Sequence, residues 1–288
     1  MTVPSGEQFE LRAGVPEEAQ TAWRAFGDEL GMLFQVVDDI LDGDGYVVER
    51  GADGARRLAD DAADRCRVRL AEVEGDMCGS GRGQVLAPWP NRLGEGRYEW
   101  DGAELQLPLT DVAGGSAIHG LVRWQAWRAV TVEPSRVVMA HTLHPQPGYP
   151  FTLRLSVEYR LSQRGLHVLS AAENAGSRAA PFGIGHHPYV LGPAGELTLD
   201  GEPVGPRRLD ETRHRPGGWR IDTGRATVWA DEAWPWQQIF TGDLPDVARR
   251  GLAIEPMTCP PQAFRTGEGV IRLEPGGRWA GEWGIELP

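Results

Sequence analysis

A change in composition near residue 75 restricts how this chain can fold more than any other feature of the sequence. Only Trp23 of the 11 Trp residues, and only Pro4 and Pro16 of the 22 Pro residues, precede that point. The rest of the chain is rich in Trp, Pro and Gly, a composition typical of strands joined by turns. The first 75 residues also carry most of the formal net charge of −12. We therefore predict two regions, residues 1–75 and residues 76–288.

Residues 16–73 have the periodicity of two amphipathic helices. Apolar residues recur at spacings of three and four up to Leu41, and Pro16 followed by two glutamates is a typical helix start. A second helical pattern follows the turn Gly51-Ala52-Asp53 and covers residues 55–70. The sequence therefore predicts an N-terminal α-helical hairpin.

From residue 84 onward the apolar period shortens towards two, which predicts strands. Residues 97–107 are predicted to form a hairpin, because Asp101-Gly102 suits a two-residue turn. Further strands are predicted at residues 136–143, 151–161, 166–173, 225–230, 237–241, 251–255, 269–273 and 278–287. Many short strands separated by turn signals predict a mainly β fold, an antiparallel sandwich or barrel.

Composition also limits the classes of function. All 29 basic residues are Arg, and the net charge of −12 argues against a general nucleic-acid or anionic-membrane surface. Cys66, Cys78 and Cys259 are too few and too scattered for a disulfide framework or a metal cluster. The sequence shows neither an apolar run long enough to cross a bilayer nor a signal-peptide pattern. We expect a soluble, cytoplasmic protein; the sequence leaves its oligomeric state open.

Four segments place polar residues inside apolar or Pro/Gly-framed stretches. They are APWPNR at residues 87–92, AIHG at 117–120, GHHPY at 185–189 and IEPMT at 254–258. Together they offer a carboxylate, imidazoles, a guanidinium and an amide. A carboxylate base and an imidazole acid are the minimum for taking one proton from a substrate and delivering another. Flat apolar walls for a sugar ring are available from the indoles of Trp89, Trp124 and Trp236.

These segments resemble the motifs of the aldose 1-epimerases, or mutarotases. Residues 78–288 are similar to that family in PWPNR, IHGLVRW, HPQPGYPFTL, HHPY and EPMTCPPQAF, in the family's order. The resemblance implies a mutarotase-like antiparallel β-supersandwich, shortened in this chain, with an open sugar cleft. It also implies an isomerase of carbohydrate metabolism that needs no cofactor and exchanges the α and β anomers of a hexose by opening and reclosing its ring.

The same resemblance assigns roles to individual residues. It implies that Glu255 is the general base that takes the proton of the anomeric hydroxyl, and that His187 is the acid that protonates the ring oxygen. Asn91, Arg92 and His119 would hold sugar hydroxyls, and we add Trp236 as a further candidate for substrate binding.

Residues 20–73 resemble a different family, the polyprenyl diphosphate synthases, in their C-terminal helices. The resemblance includes the motif Asp38-Asp39-Ile40-Leu41-Asp42, which in that family binds Mg²⁺ bridged to diphosphate. Asp38 and Asp42 would share a helix face, and carboxylate oxygens suit Mg²⁺. The chain has no second Asp-rich helix, so we interpret the segment as structural or, at most, as a weak cation site of Asp38, Asp39 and Asp42.

Each candidate residue also has a structural interpretation. Alone, Glu255 fits an Arg partner as well as a base, and His119 fits a hydrogen-bonded core histidine. His186 and His187 would make a poor metal pair, because adjacent strand residues point to opposite faces. Trp residues at strand spacing more often belong to a core than to a cleft.

The segment between Tyr189 and Asp231 looks short beside the family, which usually has several more strands there and an Asp that binds sugar hydroxyls. Asp222 and Asp231 are the nearest candidates for that carboxylate. Two alternative functions stay open: a non-catalytic carbohydrate-binding sandwich, and an isoprenoid-related fragment that binds Mg²⁺ and diphosphate.

Overall fold

The computed structural model describes residues 45–73, 81–243 and 249–288. The chain divides into two compact units, Met1–Cys78 and Gly79–Pro288. The first predicted helix, the boundary expected between residues 75 and 76, and the candidate cation ligands Asp38, Asp39 and Asp42 lie outside the described residues. Of the helices that are described, none is both long enough and apolar enough to cross a bilayer.

The described part of the first unit is one helix, α1 (Tyr46–Val73). Its backbone leaves helical geometry at Gly51, where φ is 72° and ψ is 161°. Glycine adopts this left-handed conformation without a Cβ clash, so the chain can bend there. The helical pattern predicted to follow a turn at Gly51 is confirmed. Ala55 and Ala62, seven residues apart on one helix face, are fully buried.

The second unit is mainly β, and its paired strands run antiparallel. Its strands are β1 (Val85–Leu86), β2 (Arg92–Gly94), β3 (Arg97–Trp100), β4 (Ala103–Gln106), β5 (Ser116–Ile118), β6 (Arg128–Glu133), β7 (Arg136–Leu143), β8 (Leu153–Ser162), β9 (Gly165–Asn174), β10 (Ala180–Phe182), β11 (Gly185–His186), β12 (Tyr189–Leu191), β13 (Thr198–Leu199), β14 (Glu202–Pro203), β15 (Asp210–His214), β16 (Trp219–Asp222), β17 (Thr227–Ala230), β18 (Trp236–Phe240), β19 (Gly251–Met257), β20 (Ile271–Leu273) and β21 (Arg278–Glu286). A 3₁₀ turn spans Ala194–Glu196, and a short helix, α2, spans Ala263–Thr266.

Two sheets dominate this unit. A seven-stranded sheet has the order β16-β17-β21-β9-β8-β7-β6, and a six-stranded sheet has the order β1-β11-β19-β18-β15 with β12 also paired to β19. The predicted hairpin is confirmed as β3 and β4, with Asp101 and Gly102 at positive φ of 49° and 78°. Two residues at positive φ form the turn whose twist matches that of the strands it joins.

The hydrophobic core lies between the two large sheets. His186 of β11 reaches across it, with its Nε2 2.7 Å from the Ser170 hydroxyl on β9 and its ring 5.0 Å from that of Trp283 on β21. Buried apolar residues from both sheets surround these contacts, among them Leu155, Val157, Val168, Ile239 and Ile254. The predicted antiparallel β-sandwich is therefore confirmed.

Between Tyr189 and Asp231 the hydrophobic period predicts only the strand at residues 225–230, and the structure has further strands there. Strands β12 to β16 occupy this stretch. They are two to five residues long and interrupted by Gly and Pro, so too few residues alternate in any one of them to give a period of two. One of them, β15, forms an edge of the six-stranded sheet.

Candidate active site

The predicted acid and base meet where β11 and β12 are interrupted along the same side of β19. Gly185 pairs with Met257 and Tyr189 pairs with Ala253, which places His187 directly opposite Glu255. Side chains that are opposite each other on neighbouring strands point to the same face and come into contact. His187 Nε2 lies 3.4 Å from Glu255 Oε1, and the two residues are only 4% and 2% exposed.

Polar side chains continue this contact across the sheet. The His187 amide donates to Gln84 O at 3.2 Å, Gln238 on β18 lies opposite Glu255, and Thr212 on β15 lies opposite Gln238. We call these five residues, Gln84, His187, Glu255, Gln238 and Thr212, the polar row. Because side chains alternate along a strand and His186 and Ile254 face the core, the polar row lies on the outer face of the sheet.

Three neighbours in the polar row carry unsatisfied atoms. Gln84 Oε1, His187 Nδ1 and Glu255 Oε2 are buried and have no hydrogen-bond partner in the part of the chain that the structure describes. An unsatisfied buried polar atom destabilises a fold by about 1–3 kcal/mol, so such atoms rarely cluster without a role. Their position marks the outer face of β11 and β19 as a place for a polar ligand.

Burial and nearby charges set the protonation of the pair. Burial raises the pKa of the Glu255 carboxyl well above its usual range; the charge of Asp210 raises it further, and that of Arg92 opposes the rise. Burial lowers the pKa of His187 to about 3, and the charge of Arg123 lowers it too. Both shifts favour the uncharged form of each group, a protonated carboxyl beside a neutral imidazole, in which the pair holds one proton.

His119 is fixed by a second set of contacts. The backbone N–H of Asn91 donates to His119 Nδ1 at 3.2 Å, and the backbone N–H of His119 donates to the backbone oxygen of Asn91 at 2.9 Å. Nδ1 accepts a hydrogen bond, so in the neutral ring Nε2 carries the proton and is a donor. Burial, first of all, lowers the pKa of His119 well below its usual value. The ring lies 5.5 Å from that of His187.

The backbone around His119 is held in an uncommon conformation. Asn91 and His119 both have positive φ, 55° and 62°, which non-glycine residues adopt mainly at functional sites and turns. A Cβ at Gly120 would lie 2.0 Å from Ala87 O, so only glycine fits there. Leu121 then donates to the same Ala87 carbonyl at 2.7 Å. These contacts join the segments APWPNR and AIHG beside the polar row.

The other predicted binding residues lie at different depths. Arg92 is exposed and binds Asp111 through its Nε at 3.2 Å, yet its charge reaches Glu255. Trp236 is half-buried on the outer face of β18 and stacks on the His214 ring at 4.3 Å. Trp89 is a core residue that donates to Ala117 O, so it is not a wall of the cleft.

Three residues beside Glu255 were not singled out in the sequence analysis, namely Gln238, Asp210 and Thr212. Gln238 is buried, and its amide is held from both ends, since Nε2 donates to Asp210 and Oε1 accepts from Thr212. Asp222 and Asp231 instead bind backbone amides and lie at β16 and after β17, strands of the seven-stranded sheet. Asp210, and not either of these, is the carboxylate next to the pair. Its strand is too short to reveal itself by alternation.

His186 and His187 point to opposite faces, as predicted. Across the described ranges, no group of three or more His, Cys, Asp and Glu side chains is arranged to hold a metal ion. The site that the structure assembles is thus a carboxyl, two imidazoles and two side-chain amides, on which the charges of Arg92 and Arg123 act.

A family model described as aldose 1-epimerase matches residues 74–194. The uncharacterized protein YihR of Escherichia coli K12 is 31% identical over 252 residues, which cover 73% of this chain and 80% of that protein. The chain belongs to the aldose 1-epimerase family. Since the match begins at residue 74, the likeness of residues 20–73 to polyprenyl diphosphate synthases stays a prediction.

Solved structures of aldose epimerase homologues share the fold. The GalM/aldose epimerase homologue of C. elegans has a TM-score of 0.61 at 16% identity, over 76% of this chain and 85% of that one. A galactose 1-epimerase from Lactobacillus acidophilus has a TM-score of 0.55 at 16% identity, over 73% and 81%. At this identity the likeness concerns architecture alone.

Proposed function

We propose that the chain is an aldose 1-epimerase that interconverts the α and β anomers of a hexose. The observation that supports this most is the buried contact between His187 Nε2 and Glu255 Oε1 at 3.4 Å, within the polar row. A base and an acid this close can act on two neighbouring oxygens of one substrate. The anomeric hydroxyl and the ring oxygen of a pyranose are such a pair, joined through C1.

The single proton of the pair is enough for the whole reaction. A shift of that proton from the Glu255 carboxyl to His187 gives a carboxylate and an imidazolium. The Glu255 carboxylate then removes the proton of the anomeric hydroxyl while the imidazolium protonates the ring oxygen. The bond between C1 and the ring oxygen breaks, and the open aldehyde forms. Both proton transfers reverse after rotation about the C1–C2 bond, which gives the other anomer. The pair ends with the proton count it began with, and each transfer contributes about 10²–10⁴-fold.

The surrounding donors would orient the sugar. His119 offers Nε2–H, Gln238 lies opposite Glu255 on the neighbouring strand, and the charge of Arg92 reaches Glu255. Trp236, at the rim, would pack against a sugar face. In this arrangement the unsatisfied atoms Glu255 Oε2 and His187 Nδ1 belong to the groups that approach the substrate.

The test is the rate of mutarotation of α-D-glucose and α-D-galactose, followed by polarimetry on protein shown to be folded by circular dichroism. Wild-type protein should exceed the spontaneous rate, and Glu255→Gln should lose that excess by a factor of about 10² or more. Glu274→Gln, at an exposed carboxylate, is the matched control and should behave as wild type. A folded Glu255→Gln variant with undiminished activity would contradict the proposal. Sugar binding without acceleration by wild type would select the carbohydrate-binding alternative.

A further inference from the structure

Arg123 differs from the other half-buried arginines. Arg136 binds Glu158 at 2.7 Å, Arg249 binds Asp243 at 2.7 Å, and Arg213 binds Glu211. Arg123 is half-buried too, but no carboxylate of the described residues lies within ion-pair distance of it. Its guanidinium lies over the ring of Trp124, 5.4 Å from the centroid. A cation that is partly removed from water without a counter-ion is energetically unfavourable.

Arg123 also belongs to the candidate site. It follows His119 by four residues, in the segment anchored by the close contact of Gly120 with Ala87. Its positive charge is felt by both His119 and His187, whose pKa values it lowers. Arg92 acts on His119 and on Glu255. The His119 ring, four residues before Arg123, lies 5.5 Å from that of His187, so the segment of Arg123 runs beside His187. Arg92 is already bound to Asp111.

We infer that Arg123 binds a negatively charged group of the substrate, so that the preferred hexose carries an oxyanion, a phosphate or a carboxylate, on its exocyclic carbon. This inference rests on the proposed function. The exocyclic carbon of a pyranose is attached next to the ring oxygen, which is the atom that His187 protonates. A group on that carbon therefore lies on the His187 side, where Arg123 is, and away from the anomeric oxygen and Glu255.

The chemistry of the side chains suits this ligand. A guanidinium matches oxyanions with two parallel hydrogen bonds, and stacking on Trp124 fixes the plane from which it donates. The chain has a net charge of −12, so a general attraction for anions is absent and selectivity depends on this local pair of arginines. Trp124 is 49% exposed, which leaves the Arg123 side of the site open to a substituent.

The experiment compares mutarotation of D-glucose, D-glucose 6-phosphate and D-glucuronate, each against its own spontaneous rate, by NMR exchange between anomers. Wild type should show a higher kcat/KM for at least one charged sugar than for glucose. Arg123→Gln should lower that preference by about tenfold to a hundredfold, the range for a hydrogen bond to a charged group. Arg123→Lys keeps the positive charge but cannot donate two parallel hydrogen bonds, and should retain part of the preference. Arg128→Gln, at an exposed arginine of β6, is the matched control and should leave all three rates unchanged.

The outcomes separate this inference from the proposed function. Acceleration for glucose with no preference for a charged sugar, or a preference that Arg123→Gln leaves intact, would overturn the inference while the epimerase proposal stands. If folded wild type accelerates none of the sugars, the epimerase proposal fails, and calorimetric titration with glucose 6-phosphate decides the inference. Binding that Arg123→Gln weakens would support it, and equal or absent binding in both proteins would overturn it.

Discussion

His186 and His187 are neighbours of the same residue type, and both are almost fully buried, yet they lie in very different surroundings. Burial lowers the pKa of each to about 3. His186 bonds Ser170 and packs against Trp283 and Trp234 inside the sandwich. His187 faces Glu255, His119 and Tyr189 on the outer face. Burial and a shifted pKa are therefore common to both histidines, and only the residues in contact with each ring tell them apart.

The largest expected effect comes from replacing each histidine by the same residue. His187→Gln should lower kcat by about 10²–10⁴-fold, because the proton donor to the ring oxygen is lost. The same substitution at His186 should leave kcat of the folded fraction within a few-fold of wild type and destabilise the fold by about 1–3 kcal/mol, through lost packing in the core. Polarimetry and denaturant unfolding measure the two effects separately. If His186→Gln were the variant that lost activity, the division between the two faces would be wrong.

A smaller effect is expected at Tyr189, which stacks on the His187 ring with centroids 5.1 Å apart and planes at 10°. We predict that Tyr189 positions the imidazole. Tyr189→Leu should lower kcat by about 2–10-fold with little change in KM, since an aromatic pair contributes about 0.5–1.5 kcal/mol. Tyr189→Phe keeps the ring and should restore kcat. Equal losses in both variants would show that stacking is not the reason.

The pH dependence of kcat tests the electrostatics of the outer face. In the proposed mechanism the pair works with one proton, so kcat should fall at alkaline pH, where Glu255 and His187 together lose it. Asp210 raises the pKa of Glu255, whereas Arg92 lowers it. Asp210→Asn removes that negative charge and keeps an acceptor for Gln238, so the alkaline limb should move to lower pH. The polar groups near His187, namely His119 and Arg123, are the same in wild type and in Asp210→Asn, so they do not contribute to the difference.

Asp222→Asn is the matched control for this pH profile, because Asp222 binds the Gly224 amide on the other sheet. Its profile should coincide with that of wild type. An alkaline limb that moves to higher pH in Asp210→Asn, or moves equally in Asp222→Asn, would contradict the electrostatic account.

Most of the fold follows from local pattern in the sequence. The long strands β7, β8, β9 and β21 carry enough alternating residues for a period of two to be seen. The turn residues Asp101-Gly102 predict the hairpin of β3 and β4. The strands β13 to β16 are too short for that. One of them, β15, carries Asp210 and Thr212, so this edge of the candidate site could not be predicted for the same reason as the strand that forms it.

The centre of the site was found by motif, not by pattern. Nothing local to residues 185–189 or 254–258 shows that His187 and Glu255 are opposite each other, since that depends on a register between strands about 70 residues apart. Arg123 was one of several arginines in the sequence. Only the burial of its side chain, and the carboxylates bound by its half-buried counterparts, set it apart.

The smallest expected effect is on stability, and it again contrasts the two faces. In the fold, burial places the pKa of Glu255 above the ordinary value of 4.5 that applies to the unfolded chain. The unfolded state therefore releases this proton at lower pH, and the free energy of unfolding falls as pH rises from 4.5 towards the pKa of the folded state. Gln has no proton to release in this range, so the free energy of unfolding of the Glu255→Gln variant does not fall in this way.

Glu255→Gln should therefore be close to wild type in stability near pH 4.5 and more stable by about 1 kcal/mol or more at pH 8, the usual gain when a site is traded for stability. Denaturant midpoints at the two pH values measure the difference. His186→Gln, on the core face, should destabilise at pH 8 through lost packing. Near pH 4.5 part of that loss is offset, because burial lowers the pKa of His186 to about 3, so that only the unfolded chain protonates this histidine there and the wild type loses stability. A gain in Glu255→Gln that did not grow with pH would mean that the buried carboxyl is stabilised by contacts within the fold, and would weaken its assignment as a base.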